Sequence, residues 1–168
     1  DTSTAGTGLV NKTRADNTYE TKSIYKVLES NGTSTNNVLV VASDGTNTFE
    51  FTADSASIYI IECWLNLTTS GSSGVILNIS TTGTTTSSFS ITGSSNSASA
   101  LRYEVLQYNA SSATFASFTS AGTAYAYMQG SLITPGTGGV VRIRYRDNNA
   151  GQTVYAVAGS WMRVKKIK

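Results

Sequence analysis

Two stretches in the last third of the chain decide the fold: AYAYMQGSLI, Ala124–Ile133, and VVRIRYRD, Val140–Asp147. Side chains alternate between the two faces of a β-strand. In the second stretch Val141, Ile143 and Tyr145 therefore share one face, while three arginines share the other. We predict that the first face is core and that the second carries three guanidinium groups.

Glycine-rich and polar turns separate these stretches from each other and from a last predicted strand, Trp161–Ile167. The segments TPGTGG (Thr134–Gly139) and DNNAGQ (Asp147–Gln152) contain residues that tolerate positive φ or bond to their own backbone, as turns require. We therefore interpret the closing third as an antiparallel meander.

The same pattern of short strands and polar turns continues upstream. Further strands are predicted at Ser23–Glu29, Asn37–Ala42, Thr48–Thr52, Ser57–Leu67, Gly74–Ser80, Leu101–Tyr108 and Ala113–Thr119. Eight to ten short strands without a helical period indicate an all-β fold, an antiparallel β-sandwich of the jelly-roll kind. The rings of Trp64 and Trp161, which lie in predicted strands, are expected to be buried.

Two stretches rich in serine, threonine and glycine, Thr81–Ala100 and Ser111–Gly122, are predicted to form long loops at one end of the sandwich. The first contains a marginal strand around Phe89 and Ile91, its only large apolar residues.

The chain is predicted to form one domain preceded by an arm. Residues 1–22 are polar and lack a sustained period, so we expect an N-terminal arm or loop there and a jelly-roll domain over residues 23–168. Because the chain begins at Asp1 and not at Met, we expect it to be trimmed or part of something longer.

The composition restricts the classes of partner. The chain has 24 serines and 25 threonines but only 13% charged residues, which predicts a hydroxyl-rich surface of the kind common on extracellular and virion proteins. A net charge of +2 is too small for a general nucleic-acid binder. No apolar run approaches the roughly 20 residues that a membrane span needs, so no membrane insertion is expected.

Few residues that support catalysis are present. Without histidine, and with Cys63 as the one cysteine, the chain lacks the usual nucleophile systems and the usual zinc ligands. The carboxylates Glu62 and Glu104 lie within predicted strands and are interpreted as structural. We therefore predict no catalytic residues, no metal site, no cofactor and no enzymatic activity.

Two groups of residues are candidates for ligand binding. The stripe of Arg142, Arg144 and Arg146 is suited to an acidic sugar, a lipopolysaccharide phosphate or an acidic neighbour, because guanidinium forks bind such groups bidentately. The alternative is a solvated or inter-subunit face. Tyr125 and Tyr127 are candidates for stacking on glycans, with core or interface packing as the alternative.

Two long segments carry a resemblance to a known group of proteins. They are TNTFEFTADSASIYIIECWLNLTTSGSSGVILNIS (46–80) and AYMQGSLITPGTGGVVRIRYRDNNAGQTVYAVAGSWMRVKKI (126–167). Their order of a Phe-rich strand, a Tyr-led long strand, a Gly-Ser-Leu strand and a Gly-Ser-aromatic opening to the last strand resembles tailed-bacteriophage fibre, tail and capsid-decoration jelly-roll domains. Those domains are in turn similar to tumour-necrosis-factor-like trimeric jelly rolls.

The resemblance implies a homotrimer in a virion, with the last strand near the three-fold axis and no shared catalytic residues. The expected function is a trimeric module of a bacteriophage fibre or tail tip that attaches to the host surface. The expected partners are other virion proteins, and a host-surface glycan is a candidate ligand. Two alternatives stay open: a capsid-decoration or head-fibre protein that binds the capsid shell, and a lectin-like glycan-binding module.

Overall fold

The computed structural model describes residues 23–32, 35, 38–70, 75–82, 88–97, 100–109, 112–118, 122–134, 136–147 and 151–168. The strands of these residues are, in chain order, β1 (Ser23–Val27), β2 (Val40–Val41), β3 (Glu50–Ala53), β4 (Ile58–Thr69), β5 (Val75–Thr82), β6 (Ser88–Ser97), β7 (Ala100–Asn109), β8 (Ser112–Phe118), β9 (Gly122–Ile133), β10 (Gly139–Asp147), β11 (Val154–Ala156) and β12 (Trp161–Lys166). No helix occurs among the described residues. The predicted N-terminal arm, residues 1–22, lies outside them.

The strands form two antiparallel sheets. Sheet A has the order β1-β12-β4-β9-β6-β7, and β11 also pairs with β4, while sheet B has the order β2-β10-β5-β8, and β3 also pairs with β10. The chain crosses repeatedly from one sheet to the other, so most neighbours within a sheet come from distant parts of the sequence. The predicted all-β antiparallel sandwich of the jelly-roll kind is confirmed.

The predicted meander in the closing third is wrong. The strand β9 pairs with β4 and β6 in sheet A, whereas β10 pairs with β2, β3 and β5 in sheet B. Alternation along a strand determines which side chains share a face, but it does not determine which strand lies alongside. The segment Thr134–Gly138 carries the chain from one sheet to the other.

The longest strands supply the core by strict alternation. The inward-facing side chains of β4 are Tyr59, Ile61, Cys63, Leu65 and Leu67, and those of β10 are Val141, Ile143 and Tyr145. All of them are buried, which confirms the predicted core face of Val140–Asp147. Leu28, Phe49, Phe51, Leu132 and Val164 complete the same cluster from other strands and connections.

The predicted strand at Ala113–Thr119 and the marginal strand around Phe89 and Ile91 are present as β8 and β6, whereas β11 was not predicted. Where these two strands run, the expectation of long loops is wrong: β6 pairs with β7 and β9, and β8 pairs with β5. Backbone hydrogen bonds along a paired edge do not require large apolar side chains, so serine and threonine can continue a sheet. The three residues of β11 are too few to show a period.

The expectation that both tryptophan rings are buried is also wrong. On β4 the buried neighbours of Trp64 are Cys63 and Leu65, so the period of two places the indole on the outer face. Trp161 likewise faces outward, next to the buried Met162. Both rings are half-buried.

A close backbone contact fixes the crossing between β9 and β10. Thr134 Oγ1 donates to the carbonyl of Asp54 over 2.6 Å and accepts from the backbone N–H of Ser57 over 2.9 Å. At Gly138, an added Cβ would collide with the carbonyl oxygen of Ala53. At Gly136, two residues earlier, an added Cβ would meet nothing within 4 Å.

This difference between the two glycines predicts a matched pair of variants. Gly138→Ala should destabilise the fold by about 1–3 kcal/mol, because the backbone of the facing turn must shift to admit a methyl group. Each kcal/mol corresponds to roughly 2–4 °C in melting temperature for a domain of this size. Gly136→Ala should melt at the wild-type temperature, and equal melting of the two variants would contradict the contact.

Asp44 organises the connection between β2 and β3. Its Oδ1 accepts from the N–H groups of Thr46 over 2.9 Å and Asn47 over 2.6 Å, and its Oδ2 accepts from Glu29 over 2.7 Å and Ser30 over 3.4 Å. The N–H of Asn47 is the main cause that holds the pKa of Asp44 well below its usual range, and the other three contribute. The carboxylate of Asp44 thus links the segment that follows β1 to the connection between β2 and β3.

This arrangement predicts acid sensitivity that Asp44→Asn should reduce. The folded-state pKa lies below the unfolded value of about 3.9, so the charged carboxylate stabilises the fold fully above about pH 5 and loses this effect as the pH falls below 4. Urea unfolding midpoints at pH 6 and pH 3 measure the loss. The wild type should lose more stability between these values than Asp44→Asn, and parallel losses would show that Asp44 does not contribute.

Candidate functional site

The outer face of sheet A carries a group of aromatic side chains, termed here the aromatic face. Its members are Tyr25 on β1, Trp161 on β12, Trp64 on β4, and Tyr125 and Tyr127 on β9. The ring centroids of Tyr25 and Trp161 lie 6.3 Å apart, and those of Tyr125 and Tyr127 lie 5.8 and 6.1 Å from that of Trp64. Such tilted pairs are a favourable geometry for aromatic rings.

The strand register brings these residues together from four distant parts of the sequence. Trp64 lies directly opposite Trp161 on one side and Tyr127 on the other. Directly opposed residues share a face and lie about 4.5–5.5 Å apart at Cβ, and diagonal neighbours such as Tyr125 remain within reach of large rings. The aromatic face therefore crosses four adjacent strands without interruption.

Two polar atoms of the aromatic face have hydrogen-bond partners beside it. Trp64 Nε1 donates to Asn66 Oδ1 over 2.7 Å, and the Tyr127 hydroxyl donates to Gln129 Oε1 over 3.1 Å. These bonds orient the half-buried rings of Trp64 and Tyr127, while the neighbouring rings of Tyr25 and Tyr125 are 63% and 42% exposed.

An ion pair and two aliphatic side chains surround the aromatic rings. Arg163 Nε donates to Glu62 Oε2 over 2.7 Å, on strands β12 and β4. Partial burial and, secondarily, the charge of Glu62 raise the pKa of Tyr127, which keeps its hydroxyl protonated at neutral pH. Ile60 and Ile133 are exposed on the same sheet and extend the apolar area.

The outer face of sheet B carries the predicted arginine stripe, termed here the arginine face. Arg142, Arg144 and Arg146 all point away from the core and are half-buried, as the alternation along β10 predicts. Arg142 Nε donates to Glu50 Oε2 over 2.9 Å, so this guanidinium is paired with an acid. Arg146 Nη1 donates to the backbone carbonyl of Asp147 over 3.2 Å.

Arg144 has different surroundings. Its cross-strand neighbours are Val41 on β2 and Asn78 on β5, neither of which is acidic. Its Nε is buried and has no hydrogen-bond partner among the described residues. Ser80, directly opposite Arg142 on β5, is 6% exposed, and its Oγ also lacks a partner within that part of the chain.

The structure separates the two groups of residues that the sequence offers as ligand-binding candidates. Tyr125 and Tyr127 lie on sheet A, whereas the three arginines lie on sheet B, so they cannot form one site. Two neighbours of the tyrosines, Trp64 and Trp161, were not among the predicted site residues. Alternation along β4 could have placed Trp64 on the polar face with Glu62 and Asn66, but the pairing with β9 could not be read from the sequence.

No metal-binding group stands out in the described ranges: three or more His, Cys, Asp or Glu side chains do not come together there. Cys63 is buried, and its burial raises the pKa of the thiol far above its usual range, which keeps it protonated.

Within the described ranges, no helix is long and apolar enough to cross a membrane.

Comparison with solved structures gives neighbours of low sequence identity that cover most of this chain. The crystal structure of murine APRIL at pH 8.5 is 13% identical, with 87% of this chain and 100% of that chain covered and a TM-score of 0.34. Eiger TNF from S. frugiperda is 11% identical, with 87% and 93% covered and a TM-score of 0.32. A structure of infectious bursal disease virus, Gx strain, is 11% identical, with 88% and 40% covered and a TM-score of 0.23.

No protein-family model matches the chain, and a search of curated protein sequences gives no significant match. The part of the resemblance that concerns bacteriophages stays a prediction.

Proposed function

We propose that the chain is a non-enzymatic, homotrimeric jelly-roll module on the surface of a virus particle, in a bacteriophage fibre or tail tip, where it contributes to host attachment. The observation that carries the proposal is the aromatic face. The hydroxyl-rich composition and the resemblance to phage jelly-roll domains support the location.

The aromatic face has the composition of a protein interface. Soluble monomers rarely expose large contiguous apolar patches, and tyrosine and tryptophan are enriched where proteins associate. Because Trp64 Nε1 and the Tyr127 hydroxyl already have partners, a second chain can cover these rings without leaving those donors unpaired. Another copy of the same chain offers the matching aromatic surface.

A ring of three copies fits the extent of this surface. In a closed ring each copy presents two different patches to its neighbours. The aromatic face crosses β1, β12, β4 and β9, a width of roughly 15 Å at the usual strand spacing. Its two margins can therefore contact different neighbours, and β12, the last strand, lies between them. This agrees with the resemblance, which implies that the last strand is near the three-fold axis.

Such a trimer would bury sheet A and leave sheet B facing outward. Three outward copies of any weak site would bind a surface with many receptors far more tightly than a single copy does. An attachment module of this kind needs no deep pocket in each chain.

The trimer is tested by placing a charge in the aromatic face. Tyr125→Arg should lower the solution mass from near three times 17.7 kDa to near one chain, because a desolvated guanidinium would have to be buried between copies. Thr52→Arg, at an exposed position on the outer face of sheet B, is the matched control and should keep the trimer mass.

Light scattering after size exclusion gives the mass, and a cooperative thermal transition confirms that each variant folds. A wild-type mass of one chain, or a trimer that persists in Tyr125→Arg, would contradict the proposed assembly. A single wild-type chain would favour the lectin-like alternative.

A further inference from the structure

We infer that the arginine face contains a binding site for the carboxylate of an acidic sugar, with Arg144 as its main residue and Ser80 beside it. This inference names the ligand class for the attachment role proposed above and rests on that role for its biological meaning. The site itself lies within one chain and does not require the trimer.

The charges on the arginine face leave Arg144 as the guanidinium open to an external anion. Arg142 is held by Glu50 at 2.9 Å, and Arg146 donates to the backbone of Asp147. The cross-strand row through Arg144 runs from Val41 to Asn78 and contains no acid. One uncompensated guanidinium matches a single negative charge, and its planar fork matches the two oxygens of a carboxylate.

Two buried donors lie near each other on this face without partners. Arg144 Nε and Ser80 Oγ are both inaccessible and make no hydrogen bond to the residues that the structure describes. Ser80 is a diagonal neighbour of Arg144 across β5 and β10, a separation of about 7–8 Å between backbones. Buried donors in native proteins nearly always have partners, so these two neighbouring groups are available to hydrogen-bond a ligand.

Binding requires the guanidinium of Arg144 to turn outward, because its Nε faces the protein in the free chain. In the outward position Nε and one Nη can donate to the two carboxylate oxygens, and the Ser80 hydroxyl becomes accessible to a further oxygen of the ligand. The unpaired state of Nε in the free chain makes this turn less costly than breaking a formed hydrogen bond would be.

A small ligand suits the site better than an acidic protein segment does. Ser80 is buried opposite Arg142, and of the three arginines described on this face only Arg144 is offered to an anion, whereas acidic peptides bring several negative charges. Val41 supplies an apolar wall beside Arg144, which can pack against the C–H groups of a sugar ring.

The test uses the full chain, labelled with ¹⁵N, titrated with sodium glucuronate, glucose, sodium acetate and triglutamate at constant ionic strength. Glucuronate should shift the amide signals of β5 and β10 around Ser80 and Arg144, and should bind at least several-fold more tightly than acetate. Glucose should give no shifts there. Binding of triglutamate tighter than that of glucuronate, or equal binding of acetate and glucuronate, would overturn the assignment to an acidic sugar.

Three variants separate the site from general electrostatic attraction. Arg144→Gln should weaken glucuronate binding about tenfold or more, as expected for loss of a charge-assisted bidentate pair. Arg144→Lys keeps the charge but not the fork and should also weaken binding. Lys168→Gln removes a charge of the same sign from the exposed end of the chain and should bind within twofold of the wild type. Equal weakening by Arg144→Gln and Lys168→Gln would contradict the site.

The mass of each variant is measured in the same samples. Because Arg144 lies on the sheet opposite the aromatic face, its variants should keep the wild-type mass. Glucuronate binding by a single-chain wild type would overturn the trimer and leave the sugar site standing. A wild-type trimer that does not bind glucuronate would overturn the sugar site and leave the trimer standing.

Discussion

The pairing of β4 on both of its edges is the constraint on which the rest of the structure depends. On one edge all of its 12 residues pair with β9. On the other edge its first half pairs with β12 and its end pairs with β11. With both edges fixed, the period of two leaves no freedom in which side chains face the core. Ile61, Cys63 and Leu65 then fill the interior, and Glu62, Trp64 and Asn66 are placed outside.

The same pairing generates the aromatic face. A shift of one residue between β4 and its neighbours would place Trp64 in the core and expose Leu65. The close tilted contacts of Trp64 with Tyr125 and Tyr127 therefore report the register that also builds the core. The register of β4 with its neighbouring strands therefore determines both the core and the proposed interface. The arginine face arises in the same way on β10, where the burial of Ile143 and Tyr145 directs Arg142, Arg144 and Arg146 outward.

Periodicity in the sequence predicted which side chains of one strand face the core. It did not predict which strands lie side by side in a sheet. Alternation in Val140–Asp147 correctly gave the core face and the arginine face, because both are local properties of one strand. It could not show that β9 and β10 belong to different sheets. For β6 only a marginal strand around Phe89 and Ile91 was predicted, because serine and threonine dominate it. The strand is held along its length by backbone pairing with β7 and β9. Trp64 was expected to be buried because of its size, although its position between Cys63 and Leu65 already indicated the outer face.

The most direct test of the central claim is the accessibility of the two tryptophans to a soluble quencher as the chain is diluted. Trp64 and Trp161 are the only tryptophans of the chain, and both belong to the aromatic face. If copies associate through this face, acrylamide should quench the fluorescence weakly in concentrated samples and more strongly once dilution lowers the mass to one chain. Quenching that stays constant while the mass falls from three chains to one would show that the copies meet through another surface.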